Sequence, residues 1–254
     1  MLFEEKLIFF PKRYPEGMWD PQVPVGYTLE DVYFSSGKLK LNGWFISPET
    51  PKYAGAVLLC HGNAGNITTR LSKSLAIASC GVPVFLFDYR GYGRSEDAHI
   101  CEKGLYQDAE SAYDWLKEKG YSEIIIHGIS LGGGVGTYLA LEKDPVALSL
   151  ESTFTSIPDM SKEVYPYIPR FIISTSFNNL ERIPEVKVPL QIFHGTEDQL
   201  IPHWMGEKLF EVAQAESKKF ISIDGAGHTD MVEVNFGQYV TQYSHFLNQL
   251  FKQD

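Results

Sequence analysis

Three side chains of this sequence, Ser130, Asp198 and His228, have the types and the order needed to turn a hydroxyl into a nucleophile for a carbonyl carbon. A serine hydroxyl is weakly nucleophilic near neutral pH, so it needs a histidine to take its proton and a carboxylate to hold that histidine in one tautomer. Ser130 lies in Gly128-Ile129-Ser130-Leu131-Gly132, between the apolar run Glu123-Ile124-Ile125-Ile126-His127 and a small-residue stretch beginning Gly133-Gly134-Val135. The run reads as a strand and the stretch as a helix, and the flanking glycines allow a sharp turn that exposes the hydroxyl. His228 ends the loop Asp224-Gly225-Ala226-Gly227-His228, just after the short strand pattern Phe220-Ile221-Ser222-Ile223. Asp198 follows the buried strand pattern Leu190-Gln191-Ile192-Phe193-His194 by a few residues. Glu151, beside another strand end, and Glu197 are alternative acids, with Asp198 preferred. Such a set attacks through Ser130, forms an acyl-enzyme and releases it with water activated by His228. The tetrahedral oxyanion needs preorganised donors: the backbone N–H of Leu131, directly after the serine, and a second from the loop after the strand ending at Cys60.

The order Ser, acid, His is that of α/β-hydrolases, and the chain resembles that superfamily over nearly its whole length. The motifs His61-Gly62-Asn63-Ala64-Gly65-Asn66, Asp88-Tyr89-Arg90-Gly91-Tyr92-Gly93-Arg94-Ser95, His194-Gly195-Thr196-Glu197-Asp198 and Gly225-Ala226-Gly227-His228 are similar to those of membrane-associated acyl-protein thioesterase-like and serine aminopeptidase-like hydrolases. Leu7-Ile8-Phe9-Phe10-Pro11 also resembles the lead-in to that group's catalytic domain. The resemblance implies that the second oxyanion donor is the backbone N–H of Asn63. The plainer alternative for this loop is a glycine-rich turn from strand to helix. Relatives that work as dehalogenases or epoxide hydrolases carry a carboxylate at the elbow, so Ser130 speaks against those chemistries. Members of the group often carry an upstream transmembrane anchor, which is not expected in this chain.

At 254 residues, with 44% hydrophobic and 21% charged residues, the chain is expected to be one folded domain, 1–254. A formal net charge of −10 argues against a partner bound through nucleic-acid phosphates. Cys60, Cys80 and Cys101 form neither a disulfide framework nor a metal-type cluster, so a reducing, cytoplasmic setting without metal or cofactor is expected. No apolar stretch has membrane-spanning length. The run 7–10 reads as a packed arm, with a peripheral membrane contact as the alternative.

The elements that must position these residues are legible as an alternation. Strand patterns cover residues 27–34 and 39–46, joined around Ser36-Gly37-Lys38, then 54–60, 82–87, 124–127, 146–150, 190–194 and 220–223. Between them lie amphipathic helices, one with Leu105, Ala109, Ala112, Tyr113 and Leu116 on a face, another with Tyr239, Tyr243, Phe246 and Leu250. The expectation is an α/β-hydrolase fold, a mostly parallel sheet of about eight strands with helices on both faces. Residues 151–188 are too long for a simple connection and carry prolines and aromatics. They read as a small helical cap whose Tyr167 and Phe171 touch substrate, or else as a crossover with buried aromatics. His61, His127 and His194 sit at strand ends, where an imidazole can satisfy backbone groups. Asp88-Tyr89-Arg90 reads as a network holding the walls of the site.

The expected function is cleavage of carboxylic esters or acyl thioesters, on a small-molecule or acylated substrate. One rival is an aminopeptidase or amidase using the same triad, although no acidic cluster for an amine stands out where Lys162 and Arg170 accompany Asp159 and Glu163. The other is a binding protein on a hydrolase scaffold.

Overall fold

Short apolar runs bounded by turn residues become strands buried on both faces. The computed structural model describes residues 8–164 and 175–251. Its eight main strands are β1 (Tyr27–Ser36), β2 (Leu39–Pro48), β3 (Ala56–Cys60), β4 (Val84–Phe87), β5 (Ile124–Ile129), β6 (Ala147–Glu151), β7 (Leu190–Gly195) and β8 (Lys218–Ile223). They form one sheet in the order β8-β7-β6-β5-β3-β4-β2-β1. The two pairings of β2, with β1 and with β4, are antiparallel and the other pairings of these eight strands are parallel. This is the mostly parallel, doubly covered sheet expected from the alternation, in the α/β-hydrolase arrangement that the resemblance implies. The first hairpin is tighter than expected: Ser36 pairs with Leu39 across Gly37 and Lys38, with Gly37 at φ 59°. Both of its strands run two residues beyond the apolar pattern, because cross-strand pairing, not hydrophobicity, sets where they end.

Successive residues of each central strand feed opposite layers. Ala56, Leu58, Cys60, Ile124 and Ile126 join the core under helices α2 (Glu102–Glu118), α3 (Leu131–Glu142) and α6 (His203–Val212). Val57, Leu59, Ile125 and Ile129 join the other core, under α1 (Leu71–Ala78), α7 (Met231–Val234) and α8 (Phe236–Leu250). Each fully buried Val, Leu or Ile side chain here contributes about 1.5–3 kcal/mol relative to exposure. Covering both faces leaves the strand ends as the accessible edge. The chain leaves β3 toward one side of the sheet and returns to β5 on the other, which makes the ends of β3 and β5 the switch point where sheets of this kind place a crevice.

Between β6 and β7 the chain forms α4 (Ile157–Val164), α5 (Asn179–Arg182) and a 3-10 turn (Ile183–Glu185). The two ends of this segment meet: the Ile157 N–H donates to the Ser176 carbonyl at 2.8 Å and the Leu180 N–H to the Thr155 carbonyl at 3.0 Å. Glu102, in the first turn of α2, accepts the N–H groups of Ser176 and Phe177 at 2.7 and 2.9 Å. Tyr167 and Phe171 lie outside the described residues.

The N-terminal run is a packed arm from residue 8 onward; Leu7 lies outside the described residues. Phe9 is buried edge-on against Phe177, and Phe10–Pro11 pairs in parallel with Ala64–Gly65, while the Phe10 side chain remains exposed. Among the described residues no helix is long and apolar enough to cross a membrane.

Candidate active site

The turn from β5 into α3 puts Ser130 at φ 54° and ψ −118°, a conformation that side-chain-bearing residues rarely adopt and that costs on the order of 1–3 kcal/mol. Its neighbours hold it there. The Ser130 N–H donates to the Glu151 carbonyl at 2.8 Å, and the Ser130 carbonyl accepts from Thr153 Oγ1 and the Gly133 N–H, both at 2.9 Å. The flanking glycine Gly132 is required by close approach: a Cβ there would stand 1.9 Å from the Cys60 carbonyl oxygen. The elbow of α3 is thereby pressed against the end of β3, and a Cβ on Gly62 would lie 3.3 Å from that of Ser130. The loop after β3 and the serine therefore share one crevice.

Ser130 Oγ lies 3.1 Å from His228 Nε2, and His228 Nδ1 lies 2.8 Å from Asp198 Oδ2. The loops carrying His228 and Asp198 are stitched together. The Thr196 N–H donates to the Ile223 carbonyl at 3.1 Å, the Glu197 N–H to the Ala226 carbonyl at 2.9 Å, and the Gly225 N–H to Thr196 Oγ1 at 2.9 Å. Asp198 Oδ1 accepts the N–H groups of Leu200 and Ile201 at 3.0 and 2.8 Å, which leaves Oδ2 to face the imidazole. Burial opposes ionisation of Asp198, but hydrogen bonds from His194 and His228 and from the Ile201 N–H outweigh it. Its carboxyl is held below the usual carboxylate range.

Leu131 is the first residue of α3, so its N–H is one of the first-turn donors without an intrahelical acceptor. Asn63 follows Gly62 in the crevice, and its side-chain oxygen accepts the Phe10 N–H at 3.2 Å and sits 3.5 Å from the Tyr92 hydroxyl. The arm and the Asp88–Tyr92 turn thus fix the loop from behind.

The alternative acids are placed differently. Glu151 is fully buried under the elbow, ion-paired with Lys73 of α1, hydrogen-bonded by the Tyr239 hydroxyl at 2.8 Å and 3.5 Å from His127 Nε2. Burial works against its charge, and Lys73 with His127 outweighs that, holding the carboxyl below its ordinary range. Glu197 is exposed. Cys60, another nucleophile near the crevice, is pushed up to about 12 by burial, against a hydrogen bond with Tyr89, so it stays a thiol.

The strand-end histidines satisfy more than backbone. His61 Nδ1 meets the Gly62 carbonyl at 2.7 Å, but His127 Nδ1 meets the Ser149 hydroxyl at 2.9 Å, and His194 Nε2 meets both the Ile201 carbonyl and Asp198. Burial, reinforced by the nearby Arg70 charge and opposed by the Gly62 bond, lowers His61 to about 3, so it is neutral. Arg90 is locked by its backbone and guanidinium N–H groups onto the buried Asp108 of α2, at 2.7 to 2.9 Å, which ties this strand-end turn to the helix. Sequence reasoning missed Lys73, Thr153 and Tyr239, which converge from separate elements without any motif of their own. The missed contact between His194 and Asp198 had one trace in the sequence, their i,i+4 spacing across a strand end.

Comparisons with known proteins agree with this architecture. A model of the alpha/beta hydrolase fold matches residues 55–153, and one described as serine aminopeptidase, S33, matches residues 158–235. The alpha/beta hydrolase domain-containing protein WAV2 of Arabidopsis thaliana is 31% identical over 253 residues, covering 90% of this chain and 82% of its own. The lysophosphatidylserine lipase ABHD12 of Mus musculus is 33% identical over 223 residues, which is 79% of this chain and 55% of that protein. Among solved structures, the esterase Pf2001 of Pyrococcus furiosus superposes with a TM-score of 0.76 at 18% identity, covering 96% of this chain and 98% of its own. Sequence likeness at this level over this length, together with the sheet order, shows that the chain belongs to the α/β-hydrolase family.

Proposed function

We propose that the protein is a serine hydrolase that cleaves carboxylic ester or acyl-thioester bonds through an acyl-enzyme intermediate. In this reading Ser130 Oγ attacks the carbonyl carbon as His228 Nε2 takes its proton, and Asp198 keeps the Nδ1–H tautomer and stabilises the imidazolium. The oxyanion is received by the backbone N–H groups of Leu131 and Asn63. His228 then returns the proton to the leaving group, and an activated water releases the acid and restores Ser130. The observation that carries the reading is the unbroken series from Ser130 Oγ through His228 to Asp198, with contacts of 3.1 and 2.8 Å. An acyl substrate is supported by the lipase and esterase among the similar proteins. Residues 151–188 act as a cap within a single domain, a role supported by the joined ends of the segment. The net charge of −10 disfavours a nucleic-acid partner, and three free cysteines suit a reducing compartment such as the cytoplasm.

A second reading keeps the triad and changes the bond. The aminopeptidase model that matches residues 158–235 favours an amide substrate, which demands protonation of a poorer leaving group. One set of assays separates these readings: a fluorophosphonate probe, then an acyl-chain series of esters and thioesters run beside aminoacyl amides. Labelling that disappears in Ser130→Ala, with turnover of esters or thioesters above amides, is the expected result. An unlabelled native protein would mark a binding protein on the same scaffold, and faster turnover of aminoacyl amides would favour the peptidase.

A further inference from the structure

We infer that His194 is a positioning residue for this reaction, a second imidazole that donates to the free side of Asp198 Oδ2 and so sets both the orientation and the basicity of the acid. The inference rests on the serine-hydrolase reading. His194 is fully buried on β7, four residues before Asp198. Its Nε2 lies 2.9 Å from the Ile201 carbonyl oxygen. A carbonyl can only accept, so Nε2 carries a hydrogen. The same Nε2 is 3.4 Å from Asp198 Oδ2, so the hydrogen given to the carbonyl also lies beside the carboxylate as a longer, secondary contact. The other ring nitrogen makes no hydrogen bond among the described residues, and α6 closes over it: a Cβ on Gly206 would lie 2.4 Å from His194 Nδ1. The ring is thereby confined with its donor edge toward Asp198.

The carboxylate then has a complete set of donors. Oδ1 takes the Leu200 and Ile201 N–H groups, and Oδ2 takes His228 from the crevice with His194 Nε2 beside it at 3.4 Å from the core. A donor shared onto Oδ2 lowers the basicity of the carboxylate toward His228 while preventing it from rotating away. Without His194 two effects follow. The acid loses orientation, which slows proton transfer, and it becomes a stronger acceptor, which favours the charged form of His228. The titratable groups that bear on this unit are Asp198 and His228 themselves, His203 of α6 at 5.4 Å ring to ring from His194, Glu207 at 3.6 Å from His203, and Asp230, which accepts the Gly227 N–H.

The test compares variants by where they put an N–H. The amide nitrogen of glutamine reaches the place of imidazole Nε2, that of asparagine the place of Nδ1, and phenylalanine keeps the ring volume with no donor. In His194→Phe and His194→Asn we expect kcat to fall about tenfold, the equivalent of one charge-assisted hydrogen bond, with KM little changed. The acid limb of the kcat/KM profile is expected to move up by about half a pH unit. His194→Gln should recover most of both. A merely structural role would lower the thermal midpoint of all three variants and leave the acid limb where it is, and that result overturns the inference. Nitrogen-15 chemical shifts of His194 in the native protein read the tautomer without turnover: Nε2–H is expected, and Nδ1–H overturns the inference even if no variant folds. Failure of the native protein to label at Ser130 would instead sink the hydrolase reading.

Discussion

Glu151 and Asp198 stand at the ends of adjacent parallel strands, and both carboxyls are held below their usual range, yet the two regions around them do different work. Around Glu151 the partners come from three separate elements: Lys73 of α1, Tyr239 of α8 and His127 of β5. All are buried, and Glu151 is linked to the serine through the backbone, where the Ser130 N–H meets the Glu151 carbonyl. Around Asp198 the partners are two neighbouring N–H groups and two imidazoles, one of which, His228, keeps a 16% exposed side chain facing the crevice. A carboxylate locked to a buried ammonium fixes a strand end but has no route to a substrate. One that faces a partly exposed imidazole can take part in proton transfer. The position of a strand-end acid tells less than which of its partners reaches solvent.

The largest separation between the two regions is expected in turnover. Asp198→Asn keeps the shape, and its carbonyl oxygen can still accept from Leu200 and Ile201. The amide nitrogen then faces His228 Nδ1 and favours the tautomer with the hydrogen on Nε2, where it cannot accept the Ser130 proton. A drop of about 10⁴ in kcat is expected, as when the same change is made in a serine protease triad. The unfolding midpoint should move little. An Asp198→Asn enzyme within tenfold of native would remove Asp198 as the orienting acid.

Glu151→Gln should do the reverse. It leaves Lys73 buried without its counter-ion, a loss of about 3–5 kcal/mol in stability. The backbone carbonyl that holds Ser130 is unchanged, so turnover per folded molecule should fall by at most about tenfold, or ~1.4 kcal/mol of activation free energy. Denaturant titration with active-site counting reads both quantities together. The double change Glu151→Gln with Lys73→Met should regain much of the stability, because no unpaired charge remains. A crippled Glu151→Gln with normal folding would reverse the assignment of the two acids.

Acid titration sharpens the contrast at smaller scale. Both carboxyls sit below their unfolded values, so the stability they contribute is present above about pH 4 and is lost as pH falls through their folded values. His61 adds a loss that begins earlier. Its folded value of about 3 lies below the unfolded 6.5, so between those values the unfolded chain binds the extra proton and stability declines as pH falls. From pH 7 to pH 5 this one residue accounts for about 2 kcal/mol. Urea midpoints measured across that interval should fall in the native protein and flatten in His61→Gln. An unchanged slope in the variant would show that His61 is not the group responsible.

Much of this site could be read from the chain because it depends on local grammar. Ser130 has glycines on both sides, and Asp198 and His228 follow strands whose apolar runs are unmistakable, so their shared edge follows from parallel topology alone. The partners of Glu151 could not be read in that way. Lys73 lies on a short helix with no motif, and Tyr239 occupies the apolar face of α8, where an aromatic reads as core packing. Its hydroxyl acquires a role only because the helix crosses the end of β6. Strand ends moved by one or two residues for a similar reason, since β5 and β7 continue into glycines that pair with a neighbour though they add no apolar side chain. Tyr167 and Phe171 rest on aromatic content alone, which does not distinguish a substrate wall from a packed crossover.

The smallest expected effect belongs to Glu197, the carboxylate closest in sequence to Asp198. Its backbone is committed to the site, since its N–H donates to the Ala226 carbonyl and joins the loops that carry Asp198 and His228, but its side chain is exposed. Exposed substitutions away from caps, cores and charge networks shift stability by about 0.5 kcal/mol or less. Glu197→Gln retains the N–H, the length and the polarity, and removes only a solvated charge whose field is screened over about 8–10 Å at moderate ionic strength. Turnover is therefore expected within about twofold of native, a difference of ~0.4 kcal/mol in activation free energy, with any residual effect fading as salt is added. If Glu197→Gln instead lost activity to the extent of Asp198→Asn, and salt did not alter the loss, the loop would have to present Glu197 to His228 during turnover, and the contrast between a committed acid and its solvated neighbour would fail.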